Sequence, residues 1–416
     1  MSGTDYVGGA GFFLVTAGAA IAAAARATQG RGWRGSERIL ALFVAAVGVL
    51  MAAELIPLAL GVLTRATPAI TALAALLIVW RLPRPQPAAA SSAQPVQRSG
   101  ALSWVLAAAA CLAAAVFGLA YVKARAFTAF THIDMVSFHL PTVARWIQSG
   151  SVWRAEQLLP YQAQGYYPDN GELMMLSAVL PWHNDFAVRY LGAIYMSMTG
   201  IAAYALSREL RAPAAASALF AAIPVTLPIV ALAAYDEGLP DPLMYATFLA
   251  GLVFLARHWR TRRTADLVVA GLALGICFGT KWYAVSSVTV ILAAWLIGAL
   301  AARLPARQIG RDFGALAGLV ACGGGFWLVR NLVAAGNPVF PVKVAVFGTK
   351  IFSAPHDVYR ELAGFSIFGY LGNSGIWRQY FFPATLAYLI GAIMGGGGGE
   401  LNLANPDNTI DVVVLT

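Results

Sequence analysis

The sequence predicts an all-α protein, a polytopic transmembrane bundle of about eleven spans. Composition is the first reason. Of 416 residues, 59% are hydrophobic and 11% charged, whereas a soluble domain carries about 25% charged residues. Distribution is the second. The apolar excess runs through the whole chain, giving a mean hydropathy of +0.69. A soluble enzyme, a disordered chain and a fibre are thereby excluded. Placement of arginine is the third, because clusters of it recur between apolar stretches.

A helix needs about 20 apolar residues to cross a bilayer. Stretches of this kind lie at 7–25, 39–62, 66–80, 101–122, 186–206, 213–233, 239–256, 265–280, 282–301, 313–334 and 376–394. Arg26/Arg31/Arg34/Arg38, Arg81/Arg84/Arg98, Arg208/Arg211, Arg257/Arg260/Arg262/Arg263 and Arg303/Arg307/Arg311 fall in connections on one side. The positive-inside rule makes that side cytoplasmic. The N-terminus, the segments 123–185, 234–240 and 335–375, and the turn at Thr280–Lys281 then lie outside. Sixteen of the 28 basic residues sit in those cytoplasmic connections. The net charge of +9 is therefore read as a topology signal, and no nucleic-acid partner is expected.

The chain divides into an N-terminal three-span extension (1–80), a cytoplasmic Pro/Ala/Ser-rich linker (81–100), a transmembrane core (101–345), an outer loop with a last span (346–394) and a glycine-rich tail (395–416). The tail, with its run Gly395–Gly399, reads as truncated or as carrying a sequence error near Gly395. No basic segment precedes the first apolar run, so no cleavable signal peptide is expected. Cys111, Cys277 and Cys322 lie in apolar stretches without metal-ligand spacing, which predicts neither a disulfide framework nor a metal site.

The outer loop 123–185 is long enough to suggest function. Pro141 starts a helix over 139–149 that Gly150 stops. Trp146 and Trp153 suit a membrane surface, and packing on the bundle fits the same periodicity. The run Leu173–Leu180 is too short to span and reads as a second surface or re-entrant helix.

Ionisable groups at the outer face are the candidate site residues. Asp134 follows a span and precedes His139; a carboxylate there can act as a general base, or be a solvated loop acid. Asp169 and Glu172 flank a turn and could bind an acceptor, or serve as turn and helix-start residues. Asp236, Glu237 and Asp241 crowd a span entrance, where they repel unless a cation lies near. Lys281 and Arg330 suit a phosphate group; Lys343 and Lys350 read as snorkelling anchors. Gly279-Thr280-Lys281 lacks the upstream glycine and strand of a P-loop.

In order, HIDMVSFHLPTVARWIQSGSV (132–152), YYPDNGEL (166–173), GLPDPLMYATF (238–248), GICFGTKW (275–282) and RNLVAAGNPVFP (330–341) resemble the C-type (GT-C) membrane glycosyltransferases. That family includes protein O-mannosyltransferases and the lipid A aminoarabinose transferase. The resemblance spans roughly 125–345. The three extra N-terminal spans depart from it, as does a chain that stops where relatives continue.

The resemblance implies an inverting enzyme that moves a sugar from a polyprenyl-phosphate donor to a lipid, glycan or protein acceptor. Asp134 would be its base, and Lys281 and Arg330 would face the donor phosphate. His139, Asp169, Glu172, Asp236, Glu237 and Asp241 would bind substrate. It implies a site on the extracytoplasmic face of a bacterial inner membrane; no cofactor is expected, with a divalent ion near the outer acids as the alternative. A transporter or flippase of a lipid-linked or anionic substrate is the competing class, and an inactive scaffold of the same fold a third. Transporters tend to show internal repeats and mid-membrane charge. Here no repeat is apparent, and Glu54, near Pro57, is the main in-membrane charge.

Overall fold

The computed structural model describes residues 3–83, 99–125, 128–154, 164–231, 233–234, 237–347 and 349–354. They belong to the first of two units, Met1–Gly364 and Phe365–Thr416. The expected span at 376–394, the glycine tail, most of the linker and Asp236 lie outside the described residues.

Three helices open the chain: α1 (Gly3–Thr28), α2 (Gly35–Ala59) and α3 (Thr67–Arg81). Small residues let them approach closely, as Ala19, Ala53 and Ala72 form one buried cluster. The opposite stripe of α2, Leu40, Val44, Val47, Met51, Glu54 and Leu58, is buried at 3–4-residue spacing. Its apolar members belong to the main core. Glu54 is the exception in that stripe, and its Oε2 has no hydrogen-bond partner among the described residues.

Next come α4 (Ala101–Arg125), a π-helical turn (Met135–His139), α5 (Leu140–Ser149), a 3-10 turn (Gln164–Tyr166) and α6 (Asn170–Val179). Gly150 ends α5 in the left-handed region at φ 67°, and its N–H reaches Trp146 O. Trp146 faces protein, stacked on Trp327 with ring centres 6.0 Å apart. Every residue of α6 is buried, so this short apolar helix is wrapped by protein and does not lie on a surface. The C-terminal end of α2 and the loop after it hold the segment that follows α5. Leu63 N–H donates to Gly150 O (3.3 Å), Val152 N–H to Leu58 O (3.3 Å) and Trp153 Nε1–H to Ala59 O (2.7 Å).

The remaining helices are α7 (Val188–Glu209), α8 (Ala214–Thr226), α9 (Pro228–Ala231), α10 (Asp241–Thr261), α11 (Thr264–Phe278), α12 (Trp282–Ala301), α13 (Ala306–Gly324) and α14 (Phe326–Ala335). A short antiparallel hairpin, β1 (Val344–Val346) and β2 (Thr349–Phe352), follows. The span expected at 213–233 breaks at Leu227, which is extended (ψ 125°) because Pro228 disfavours helix at the residue before it. The span expected at 313–334 bends by 60° between α13 and α14. Three glycines, Gly323 to Gly325, lie at this bend. Gly323 and Gly324 lie so close to Gly275 and Gly279 that a Cβ at either would overlap backbone.

The fold is all-α apart from that hairpin among the described residues, and it is an integral membrane protein. Four helices (α1, α2, α4, α12) are long and apolar enough to cross a bilayer, or five with the bent pair as one span. The count is below the expected eleven for three reasons. Helices α3, α8 and α11 are short, α7 and α10 carry buried polar and charged residues such as Arg189, Asp241, Arg257 and His258, and 376–394 lies outside the described residues.

At the arginine-rich end, Arg257 does more than set topology. It pairs with Glu37, with Glu209 (3.4 Å) and with Asp266 (3.3 Å). Trp33 Nε1–H and the Thr261 hydroxyl also donate to Asp266, at 2.6 and 2.8 Å. This network joins α2, α7, α10 and α11.

Candidate active site

The site lies at the opposite end, and asparagine fixes its frame. Asn170, 1% exposed, begins α6. Its N–H donates to Gly279 O (2.8 Å), and its Nδ2 donates to Ile276 O (3.0 Å) and Gly323 O (2.9 Å). Its Oδ1 accepts from Trp327 Nε1–H (2.8 Å). One side chain thus ties α6 to α11, α13 and α14. A Cβ at Gly279 would overlap the Asn170 amide, which accounts for the glycine two places before Lys281.

Arg330, from α14, is 1% exposed and fully engaged. It pairs with Asp169 (2.6 Å), donates to Tyr167 O (2.9 Å) and stacks on Trp327 at 4.8 Å. Asn331 Nδ2 donates to Tyr166 O (2.9 Å). The RN element therefore clamps the YYPD segment. The sequence alone points to Arg330 as a phosphate ligand, but the structure gives its guanidinium to Asp169 and the loop backbone.

Lys281 is the cation that remains at the site. It precedes α12 in extended backbone and pairs with Asp241 at 3.1 Å. Tyr283 donates its hydroxyl to the other oxygen of Asp241. Burial pulls the Lys281 ammonium down, but Asp241 and Glu172 outweigh it and hold it above its ordinary value, so it stays charged.

Beside it, His139 Nδ1 meets Glu172 Oε1 at 2.5 Å, with both side chains buried. Burial, reinforced by Lys281, keeps the imidazole neutral, well below its usual range. Burial also pushes the Glu172 carboxyl up to about 7, against the pull of Lys281. Asp134 immediately precedes the π-helical turn and is half-buried. Among the described residues its carboxylate has no hydrogen bond or ion pair, yet its charge acts on both His139 and Lys281. The segment before it is fastened by His132–Glu237 (3.2 Å) and by Arg189, which donates to Thr128 O (3.0 Å) and lies over Phe130 (4.0 Å).

The structure thus gathers Asp134, His139, Glu172, Asp241 and Lys281 into one electrostatic neighbourhood. Asp169 and Arg330 pair at its edge, and Glu237 turns to His132. Tyr283, Asn170 and Trp327 were not legible as site residues. Their partners lie 42 to 157 residues away in sequence. Among the described residues no group of three His, Cys, Asp or Glu could hold a metal ion. A buried cation flanked by carboxylates, beside an unpaired carboxylate, can bind an anion and accept a proton from a neighbouring ligand.

Residues 173–323 match the family model described as dolichyl-phosphate-mannose-protein mannosyltransferase. Comparison with curated proteins and with solved structures finds no match. The matched stretch contains Asp241 and Lys281 and ends before Arg330. With the apolar helices, the match supports a mannosyltransferase-like membrane glycosyltransferase of the GT-C type.

Proposed function

We propose that the protein transfers a sugar from a polyprenyl-phosphate donor to an extracytoplasmic acceptor, with inversion at the sugar's anomeric carbon. The observation that carries this reading is the presence of a carboxylate without a partner and a buried charged lysine at one site. Asp134 is a carboxylate without a partner among the described residues, and its charge acts on Lys281, a buried lysine held charged. In this reading Asp134 takes the proton of the acceptor hydroxyl or amine. The freed oxygen or nitrogen bonds to the anomeric carbon as the bond from that carbon to the phosphate oxygen breaks. The electron pair leaves with the phosphate, whose charge Lys281 stabilises; no strong general acid is needed. Asp241 and Tyr283 hold Lys281 in place, and Arg330 acts by fixing the Asp169 loop.

The test is transfer from polyprenyl-phosphate mannose by the full chain reconstituted in lipid, with envelope lipid, glycan and protein fractions as acceptors. Removing a positioned base typically costs about 10²–10⁴-fold, so Asp134→Asn is expected to lose at least about a hundredfold in kcat. Lys281→Met is expected to lower transfer and raise the donor KM. Unchanged transfer by Asp134→Asn would remove that residue from the mechanism.

A further inference from the structure

His139 and Glu172 are not needed for the proton and phosphate steps above, yet they form a deeply buried titratable pair beside the groups that perform them. His139 is 2% and Glu172 4% exposed. Each uses one polar atom on the other, and each has a second, His139 Nε2 and Glu172 Oε2, without a hydrogen-bond partner among the described residues. A buried polar atom left unpaired is costly, so a fold retains one where something else supplies the bond. Backbone geometry singles out the same residue. The π-helical turn Met135–His139 runs from beside Asp134 to His139 at its end. Such turns are rare and frequent at functional sites.

The chemistry of an imidazole bonded at Nδ1 is directional. When Glu172 is a carboxylate it accepts Nδ1–H, which leaves the Nε2 lone pair as an acceptor. When Glu172 holds a proton it donates to Nδ1, and Nε2 then carries the hydrogen. We propose that His139 Nε2 accepts a hydrogen bond from a hydroxyl or amine N–H of the acceptor substrate other than the proton that Asp134 removes, with Glu172 as the positioning residue that selects this tautomer. The proposal rests on the transferase reading and deepens it by assigning the acceptor subsite. Because Glu172 titrates near 7, the tautomer changes across neutral pH. The charged groups acting on the pair are Lys281 and Asp241 from the neighbouring helices, Arg330 from α14, Asp169 at the start of α6, and Asp134 and His132 from its own loop.

The experiment measures donor KM and acceptor KM separately from pH 5.5 to 8.5 in the reconstituted full chain. His139→Asn keeps an amide near the Nδ1 position and removes the ring tip. It is expected to raise acceptor KM at least tenfold with donor KM unchanged. His139→Gln, which places an amide near the Nε2 position, is expected to recover part of that loss. Wild-type acceptor KM is expected to rise as the pH falls through 7, and Glu172→Gln to flatten that rise. Equal changes in both KM values, or a pH dependence that survives in Glu172→Gln, would overturn the proposal. A second readout does not depend on turnover. In histidine-labelled protein in nanodiscs, the ¹⁵N signal absent from His139→Asn should report Nδ1–H above neutrality and Nε2–H below it. If wild type transfers nothing, the transferase reading fails and the spectrum still decides the pair. A tautomer that does not change with pH refutes the pair itself.

Discussion

Asn170→Ala is the perturbation whose cost can be worked most directly. Four hydrogen bonds converge on Asn170; three use its side chain and vanish in the variant. Their values differ. Ile276 O keeps a second partner, the Thr280 hydroxyl at 2.7 Å. Trp327 Nε1–H has no other acceptor among the described residues, and Trp327 is 1% exposed. Leaving that donor unpaired costs about 1–3 kcal/mol. With the two weakened carbonyl bonds and the small cavity, the total is about 2–4 kcal/mol. The assay is reversible denaturant titration of the purified chain in mild detergent, read by tryptophan fluorescence. Transfer should fall too, because Asp169 and Glu172 flank the lost anchor. Asn170→Asp should not rescue stability, since a carboxylate would face two carbonyl oxygens. A folding free energy within about 0.5 kcal/mol of wild type would refute the reasoning, since surface-like substitutions behave that way.

Other outcomes follow from the same contacts. Gly275→Val should separate α11 from α13, because even a Cβ there meets Leu319 O and Val320 O within 3 Å; a lower thermal midpoint and faster proteolysis would register it. Arg257→Met should destabilise by about 3–5 kcal/mol, the range for removing one partner of a buried pair. It leaves Glu37, Glu209 and Asp266 facing one another. Additional replacement of Glu37 and Glu209 by Gln should recover part of that loss in the same titration.

Helix positions were legible because apolar length and the residues that punctuate it are local properties. Pro141 and Gly150 bracket α5, and Pro242 opens α10, as the sequence alone suggests. Hydropathy, however, does not distinguish lipid from protein as the apolar neighbour. For that reason α6 reads as a surface or re-entrant segment while being enclosed, and Trp146 reads as an interface anchor while stacking on Trp327. The breaks at Leu227 and Gly325 had their signals, Pro228 and a triple glycine, hidden within runs long enough to span. At the site, the sequence offered the right charges but not their partners. Asp169 and Arg330 are 161 residues apart, so nothing local reveals that Arg330 is consumed by an acid. Lys281 and Asp241, 40 positions apart, are separated by a hairpin whose closure only the fold displays.

The bonds from α2 to the segment after α5 have a consequence for how this protein can be cut. Leu58, Ala59 and Leu63 support Gly150 to Trp153 from below at one end, while Trp33 and Glu37 grip Asp266 and Arg257 at the other. Residues 33–63 therefore behave as a keel. A chain started at Ala101 would keep every residue proposed for chemistry. It would leave α5 without its floor and a buried arginine short of one carboxylate. The N-terminal helices would then be a condition for presenting the site at all.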